Sequence, residues 1–249
     1  MITLRSSKER HHDRRRRHEE WSTFDPDDQA DLLGAGFGAL EQIDEDRLPP
    51  GAGIPRQVHQ AGELVTYVRE GALAYEDSMG RTGVIHTGEF HRMTVGPSLR
   101  HSETNASRAD WVHVFQIWLR PPVRGLEPNR EQKRFSAAQR RGILCVIASA
   151  DARRGSLRLH QDATLYSTLL APGQHVVHEL SAGRRGWIHV VHGQVIMSGE
   201  HVLSAGDSAG VFDERVVSVT ARHDSEFLLF DVADPLVAAP SIGAALPSP

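Results

Sequence analysis

The chain has 249 residues, long enough for one large all-β domain or two domains of ordinary size with a substantial buried core. A hydrophobic share of 39% and a charged share of 24% are those of a globular protein, and a formal net charge of −4 with a pI near 6.4 excludes the basic footprint of a nucleic-acid-binding domain, for which a pI above about 9 is usual. No signal-peptide pattern and no apolar run of about 18 residues is present, so the sequence predicts a cytoplasmic protein with neither a membrane nor a direct nucleic-acid partner.

Residues 1–25 read as an N-terminal arm. Lys8, Arg10, His11, His12, Arg14 to Arg17 and His18 crowd together there, but Glu9, Asp13, Glu19 and Glu20 are interspersed. That mixture predicts a solvated strand or partly ordered arm leading to Trp21 and Phe24 rather than a basic arm for nucleic acid. From about residue 36 the chain becomes a succession of short alternating or β-branched runs broken by Gly, Pro, Asn and Asp. They include Leu64 to Val68, Val112 to Trp118, Ile143 to Ala148, Gly186 to Val191 and Phe227 to Val232. Regular spacing of this kind predicts a β-sandwich or barrel rather than βαβ units. Helix is expected only at Asp27 to Leu33 and at Glu131 to Arg140, the latter after a Pro-rich stretch, Pro121 to Pro128, that reads as a linker. The single Cys145 excludes an intrachain disulfide and is expected to be a buried, inert thiol.

The two halves repeat. Tyr67-Val68-Arg69-Glu70-Gly71 matches Val190-Val191-His192-Gly193, each followed by a strand, a glycine turn (Gly80, Gly199), a short strand and a Gly-acid pair, Gly88-Glu89 or Gly206-Asp207. The offset is nearly constant, so two copies of one β-barrel unit are expected. The predicted boundaries are an arm at 1–25, an N-terminal domain at 26–125, a linker or helix at 126–140, a C-terminal domain at 141–235 and a tail at 236–249.

His59, His101 and Glu103 carry the chemistry. Residues i and i+2 of a strand share a face, so Gln57 points with His59 and His101 with Glu103. Two imidazoles and one carboxylate on one side of an ion leave positions open for substrate or dioxygen, as in non-haem iron oxygenases. The competing reading is structural, because 15 His residues will bring some near a Glu by chance. The C-terminal copy offers only His175 and His178, whose spacing of three splits them across a strand. Trp187 and His189 read there as ordinary strand residues. Any chemistry is therefore expected in the N-terminal half.

The chain resembles the pirin family from about Trp21 to Asp234. The resemblance is carried by Glu63 to Gly71, Asp77-Ser78-Met79-Gly80, Gly88 to Gly96, His101-Ser102-Glu103-Thr104-Asn105, Gln116-Ile117-Trp118-Leu119, His160-Gln161-Asp162-Ala163 and Leu229-Phe230-Asp231-Val232. It implies an all-β bicupin, two tandem jelly-roll cupin barrels with minor helix, and a relationship to the bacterial pirin-like quercetin 2,3-dioxygenases. The family's metal set, a His-x-His pair then His-x-Glu, carries over as His59, His101 and Glu103, with Gln57 where the first His would stand. Tyr75 and His91 also depart from the pattern, in which a His and a Gln are usual.

A neutral amide oxygen is a weak donor for transition ions, so the Gln57 replacement predicts weaker binding than in a four-ligand relative. His91 is expected to face the barrel wall or solvent. The implied cofactor is one divalent transition metal, iron first, with nickel, manganese, zinc, copper or cobalt as alternatives. Because His59 and His101 must be neutral to coordinate, acid should strip the ion.

Three functions follow from the resemblance. The first is a quercetinase-like dioxygenase acting on a small enolic aromatic, with Glu103 holding the ion and taking the substrate proton, and Phe90, Met93, Phe115 or Trp118 lining an apolar cavity. The second is a metal- or redox-sensing regulator with a protein partner, as the resemblance to eukaryotic pirin implies. The third is a catalytically inactive cupin, silenced by Gln57.

Overall fold

The computed structural model describes residues 1–15, 18–26, 31, 33–54, 62–96, 100–123 and 125–235. The strands in chain order are β1 (Ile2–Arg5), β2 (His11–Arg15), β3 (His18–Ser22), β4 (Leu40–Leu48), β5 (Gly53–Ile54), β6 (Gly62–Glu70), β7 (Ala72–Asp77), β8 (Thr82–His86), β9 (Glu89–Val95), β10 (His101–Asn105), β11 (Val112–Leu119) and β12 (Arg130–Arg134). After a one-turn helix α1 (Ala137–Arg140) come β13 (Cys145–Ser149), β14 (Leu157–Arg158), β15 (Ala163–Leu170), β16 (His175–Glu179), β17 (Arg184–His192), β18 (Gln194–Met197), β19 (His201–Ser204), β20 (Ser208–Val211), β21 (Val216–Ala221) and β22 (Ser225–Ala233).

The repeat read in the sequence is a repeat of topology. Each half pairs a large sheet with a small one: β12-β9-β6-β11-β4-β3-β2 with β5-β10-β7-β8, and β1-β20-β17-β22-β15-β13-β14 with β16-β21-β18-β19. Strand β9 corresponds to β20, β6 to β17, β11 to β22 and β10 to β21. At the equivalent turns after β6 and β17, Gly71 has φ of 83° and Gly193 a φ of 77°. An added Cβ would meet a backbone oxygen there, of Trp111 at 2.6 Å and of Asp224 at 2.3 Å, so only glycine fits either position.

The edge strands come from unexpected places. Strand β1 crosses to the C-terminal barrel and pairs with β20, Ile2 opposite Val211, while the terminal amine bonds Glu214 Oε1 at 2.8 Å. In the same position of the N-terminal sheet, β12 pairs with β9. This corrects the helix expected over Glu131 to Arg140. Its first half satisfies the open edge of β9 as a strand, and only its end turns, where Ser136 and Gln139 form a capping box. Of the Asp27 to Leu33 expectation, only Asp31 and Leu33 fall within the described residues.

Strand β11 is buried along its whole length, as is nearly all of β22. The cause is that each large sheet is covered on both faces, by its own barrel interior and by the other barrel. Between the barrels Tyr67, Phe90 and Phe115 pack with Trp187, Leu228 and Phe230, and Tyr67 stacks on Phe90 with centroids 4.2 Å apart. Fully burying each such side chain contributes about 1.5–3 kcal/mol. A polar tie crosses the same interface: Arg140 Nη1 donates to Glu226 Oε1 at 2.7 Å and to the Tyr67 hydroxyl at 3.0 Å, and Tyr67 donates to the same Glu226 oxygen. Cys145 is half-buried, and desolvation raises its thiol pKa. No helix among the described residues is long and apolar enough to cross a membrane.

Candidate metal centre

The two barrels differ in what they enclose. The C-terminal interior is filled by apolar side chains such as Ile188, Val190, Met197, Val219 and Phe227. The N-terminal interior has apolar groups at its ends, Leu48, Val68 and Val114 at one and Leu64, Met93, Val95 and Trp118 at the other. Between these lies a polar row. Residues directly opposite each other on neighbouring strands share a face, and the register runs His91 (β9), Thr66 (β6), Gln116 (β11), Asp44 (β4), Ser22 (β3). All but the last are buried.

The small sheet faces this row with β10. His101 and Glu103, two residues apart, lie opposite Asp77 and Tyr75 of β7, and Glu103 also pairs with Ile54 of β5. The structure thus brings the predicted His101 and Glu103 to one strand of the N-terminal barrel. Glu103 is buried and accepts a hydrogen bond from the Gln116 side-chain amide. His101 is half-buried, its ring centroid 6.5 Å from that of Trp118. Gln57 and His59 lie outside the described residues, in the segment joining β5 to β6. Met93 and Trp118 line the interior as expected, but Phe90 and Phe115 point to the opposite face, into the core between the barrels.

Of the two placements expected for His91, solvent is excluded: it is 2% exposed and stacked on Tyr75 of the barrel wall, with centroids 4.6 Å apart and planes 18° from parallel. Among the described residues neither ring nitrogen has a hydrogen-bond partner. Desolvation, with Arg130, Arg92 and His101 nearby, pushes its pKa down to about 4, so the ring is neutral with a lone pair to offer. The signal was available: His91 sits at an inward position of a strand whose alternate residue, Met93, was read as cavity-lining.

Charge in this interior is one-sided. Burial pushes the Glu103 carboxyl up to about 8, with the neighbouring Asp46 adding to the shift, and burial pushes Asp44 up to about 8 as well. Among the described residues no arginine or lysine forms an ion pair with either. A buried carboxyl with no cation beside it and a buried imidazole with two unpartnered nitrogens make a donor set that fits a divalent transition metal. One further group was missed by sequence reasoning. His18, Glu20 and Asp46 bring three ligand atoms within 4.8 Å of one another. The alternation of Asp44 with Asp46 and of His18 with Glu20 in strand segments was its available signal. A separate cavity of about 320 Å³, lined by Arg47, Arg69, Trp111 and His113 among others, contains none of these residues.

Comparison with known proteins agrees with this architecture. Residues 4–119 match the Pirin family profile, and residues 146–232 match that of the quercetinase C-terminal cupin domain. The chain is 40% identical over 232 residues to the quercetin 2,3-dioxygenase of Escherichia coli K12, covering 93% of this chain and 99% of that protein. It is 32% identical over 217 residues to a pirin-like protein of Caulobacter vibrioides, covering 85% and 88%. The crystal structure of the bacterial pirin YhhW from Escherichia coli in complex with nickel(II) superposes with a TM-score of 0.85 at 38% identity, over 94% of this chain and 99% of that one. The two barrels are cupin domains, and the chain belongs to the pirin family.

Proposed function

We propose that the N-terminal cupin is a metal-dependent dioxygenase of the quercetinase type, acting on a flavonol or a similar planar enolic aromatic. The observation that carries this reading is Glu103, a buried carboxyl held by the Gln116 amide, with no arginine or lysine ion pair among the described residues, and facing a barrel interior that also holds His101 and His91. It is supported by the names of relatives such as the Escherichia coli quercetin 2,3-dioxygenase and by the nickel(II) bound in a related structure. We assign the two cupins to residues 26–125 and 141–235 and expect the protein in the cytoplasm.

In this reading His59, His101 and Glu103 hold the ion, with the Gln57 side-chain oxygen or water at the remaining position. The bound ion supplies Lewis-acid polarisation of the substrate's enolic oxygen. Gln116 orients Glu103, the carboxylate that would help hold the ion and would accept the substrate proton. Leu64, Met93, Val95 and Trp118 form an apolar wall that excludes water and suits a flat aromatic ring. Iron is the first candidate metal, and nickel, manganese, zinc, copper and cobalt are alternatives.

A catalytically inactive cupin is the second reading, favoured by Gln57 standing where the family's first His belongs. One experiment separates the two. Metal-free protein is loaded in turn with each of the six ions, its metal content determined, and quercetin added in air while the flavonol absorbance is followed. Turnover by at least one metal form, lost in Glu103→Ala, supports the dioxygenase. Bound metal without turnover of quercetin or of a panel of enolic aromatics overturns it in favour of the inactive cupin.

A further inference from the structure

We propose that His18, Glu20 and Asp46 form a second divalent-cation site in the N-terminal cupin, which takes a first-row transition ion independently of His101 and Glu103. His18 and Glu20 are two residues apart on β3 and so share a face, and Asp46 of β4 lies directly opposite Glu20. One atom from each, an imidazole nitrogen and two carboxylate oxygens, lies within 4.8 Å of the other two. An ion with bonds of about 2.0–2.2 Å holds its ligands ~3–3.5 Å apart, so closure needs only small side-chain rotations.

Burial turns this juxtaposition into a site. His18 is 7% exposed and Asp46 1%, and Glu20 is half-buried. His18 Nε2 meets Asp46 Oδ1 at 2.6 Å. Two carboxyls this close, both raised in pKa chiefly by burial, are costly to ionise alone, and a cation answers their charge. Of the described guanidinium groups nearby, Arg10 donates to Glu45 and to the Trp21 carbonyl, and Arg15 pairs with Asp13. Two carboxylates balance the charge of a divalent ion. The imidazole selects manganese, iron, cobalt, nickel or zinc over calcium or magnesium, with water completing the coordination.

The site is separate from the one on β10. Gln116, which holds Glu103, is in register with Asp44 and Ser22, whereas Glu20 and His18 lie two and four residues farther along β3, ~7–13 Å at strand spacing. It therefore needs neither Glu103 nor the dioxygenase reading.

Cobalt(II) tests it. Metal-free protein and variants are titrated with Co²⁺ alone, reading calorimetric stoichiometry, elemental content after gel filtration and the visible ligand-field spectrum, with circular dichroism as the check of folding. The parent is expected to bind two ions per chain. His18→Gln, Asp46→Asn and Glu20→Gln each weaken one ion at least tenfold and change its spectrum, while the double variant His101→Ala/Glu103→Gln keeps that ion and loses the other. Should His18→Gln or Asp46→Asn not fold, the half-buried Glu20→Gln decides. A parent that binds a single ion, removed by Glu103→Gln and untouched by His18→Gln, overturns the proposal. So do two ions that are both indifferent to His18, Glu20 and Asp46. Failure of the β10 site alone leaves the His18-dependent ion in place, so the two readings fail separately.

Discussion

The Gln116 side-chain amide donates to the Glu103 carboxylate across the N-terminal barrel, joining β11 of the large sheet to β10 of the small one. Outer partners of this kind orient a ligand, and their removal typically costs 10–100-fold in metal affinity. Gln116→Leu is therefore expected to weaken Ni²⁺ binding by about tenfold or more while leaving the metal-free fold intact, as read by calorimetry and thermal unfolding. Unchanged affinity would show that Glu103 is no ligand.

His189 gives the metal-free protein an acid-sensitive joint between its cupins. Its Nδ1 meets Ser208 Oγ at 2.8 Å, its Nε2 has no partner among the described residues, and its ring abuts Phe115 with centroids 5.8 Å apart. Burial pushes its pKa down to about 3. The folded pKa lies below the unfolded value of about 6.5. The unfolded chain therefore binds the proton first, and stability is full above about pH 6.5 and falls as the pH drops toward 3. Between pH 7 and 4.5 the parent should lose about 2–3 kcal/mol more than His189→Met. Urea unfolding at the two pH values measures the difference, and parallel losses in the two proteins would refute it.

The Arg140 tie should behave as a buried pair. Its guanidinium is in contact with Glu226, the Tyr67 hydroxyl and Ser167 Oγ, all away from solvent. Among the described residues, Arg140→Met leaves buried Glu226 with the more distant Arg69, at 3.5 Å, as its one cation. A loss of about 3–5 kcal/mol in urea unfolding is expected. Tyr67→Phe keeps the stack on Phe90 and should cost less, about 1 kcal/mol.

The chain showed most plainly what depends on local spacing. The repeat was legible because Gly71 and Gly193 punctuate equivalent turns, and the His101-Ser102-Glu103 pair was legible because period two on a strand fixes a shared face. What depends on closure across the molecule was not. Residues 130–134 have a charged, helix-compatible composition, and the unpaired edge of β9 makes them a strand. Likewise β1 is recruited by β20, some 200 residues away in sequence, and no local pattern carries that pairing. For His91 and for His18, Glu20 and Asp46, alternation along each strand is legible, but which strands bring those faces together is set by register with neighbours far away in sequence.

Gln57 is the residue whose replacement tests the family pattern most directly. In the proposed site the metal affinity would depend on how many imidazoles reach the ion, and Gln57 stands where the family resemblance implies one. Amide oxygen is a hard, neutral donor, whereas nickel, copper and zinc prefer imidazole nitrogen. Gln57→His should therefore tighten Ni²⁺ binding at least tenfold by calorimetry. Each coordinating His must be deprotonated, so the gain should be largest above about pH 6.5 and shrink toward pH 5. Removing His91 in that background separates the remaining possibilities. If His91→Gln costs affinity in the parent but not in Gln57→His, the buried imidazole has been filling in for the missing ligand. If it costs nothing in either, the stacked ring beneath Tyr75 serves the packing of the barrel alone.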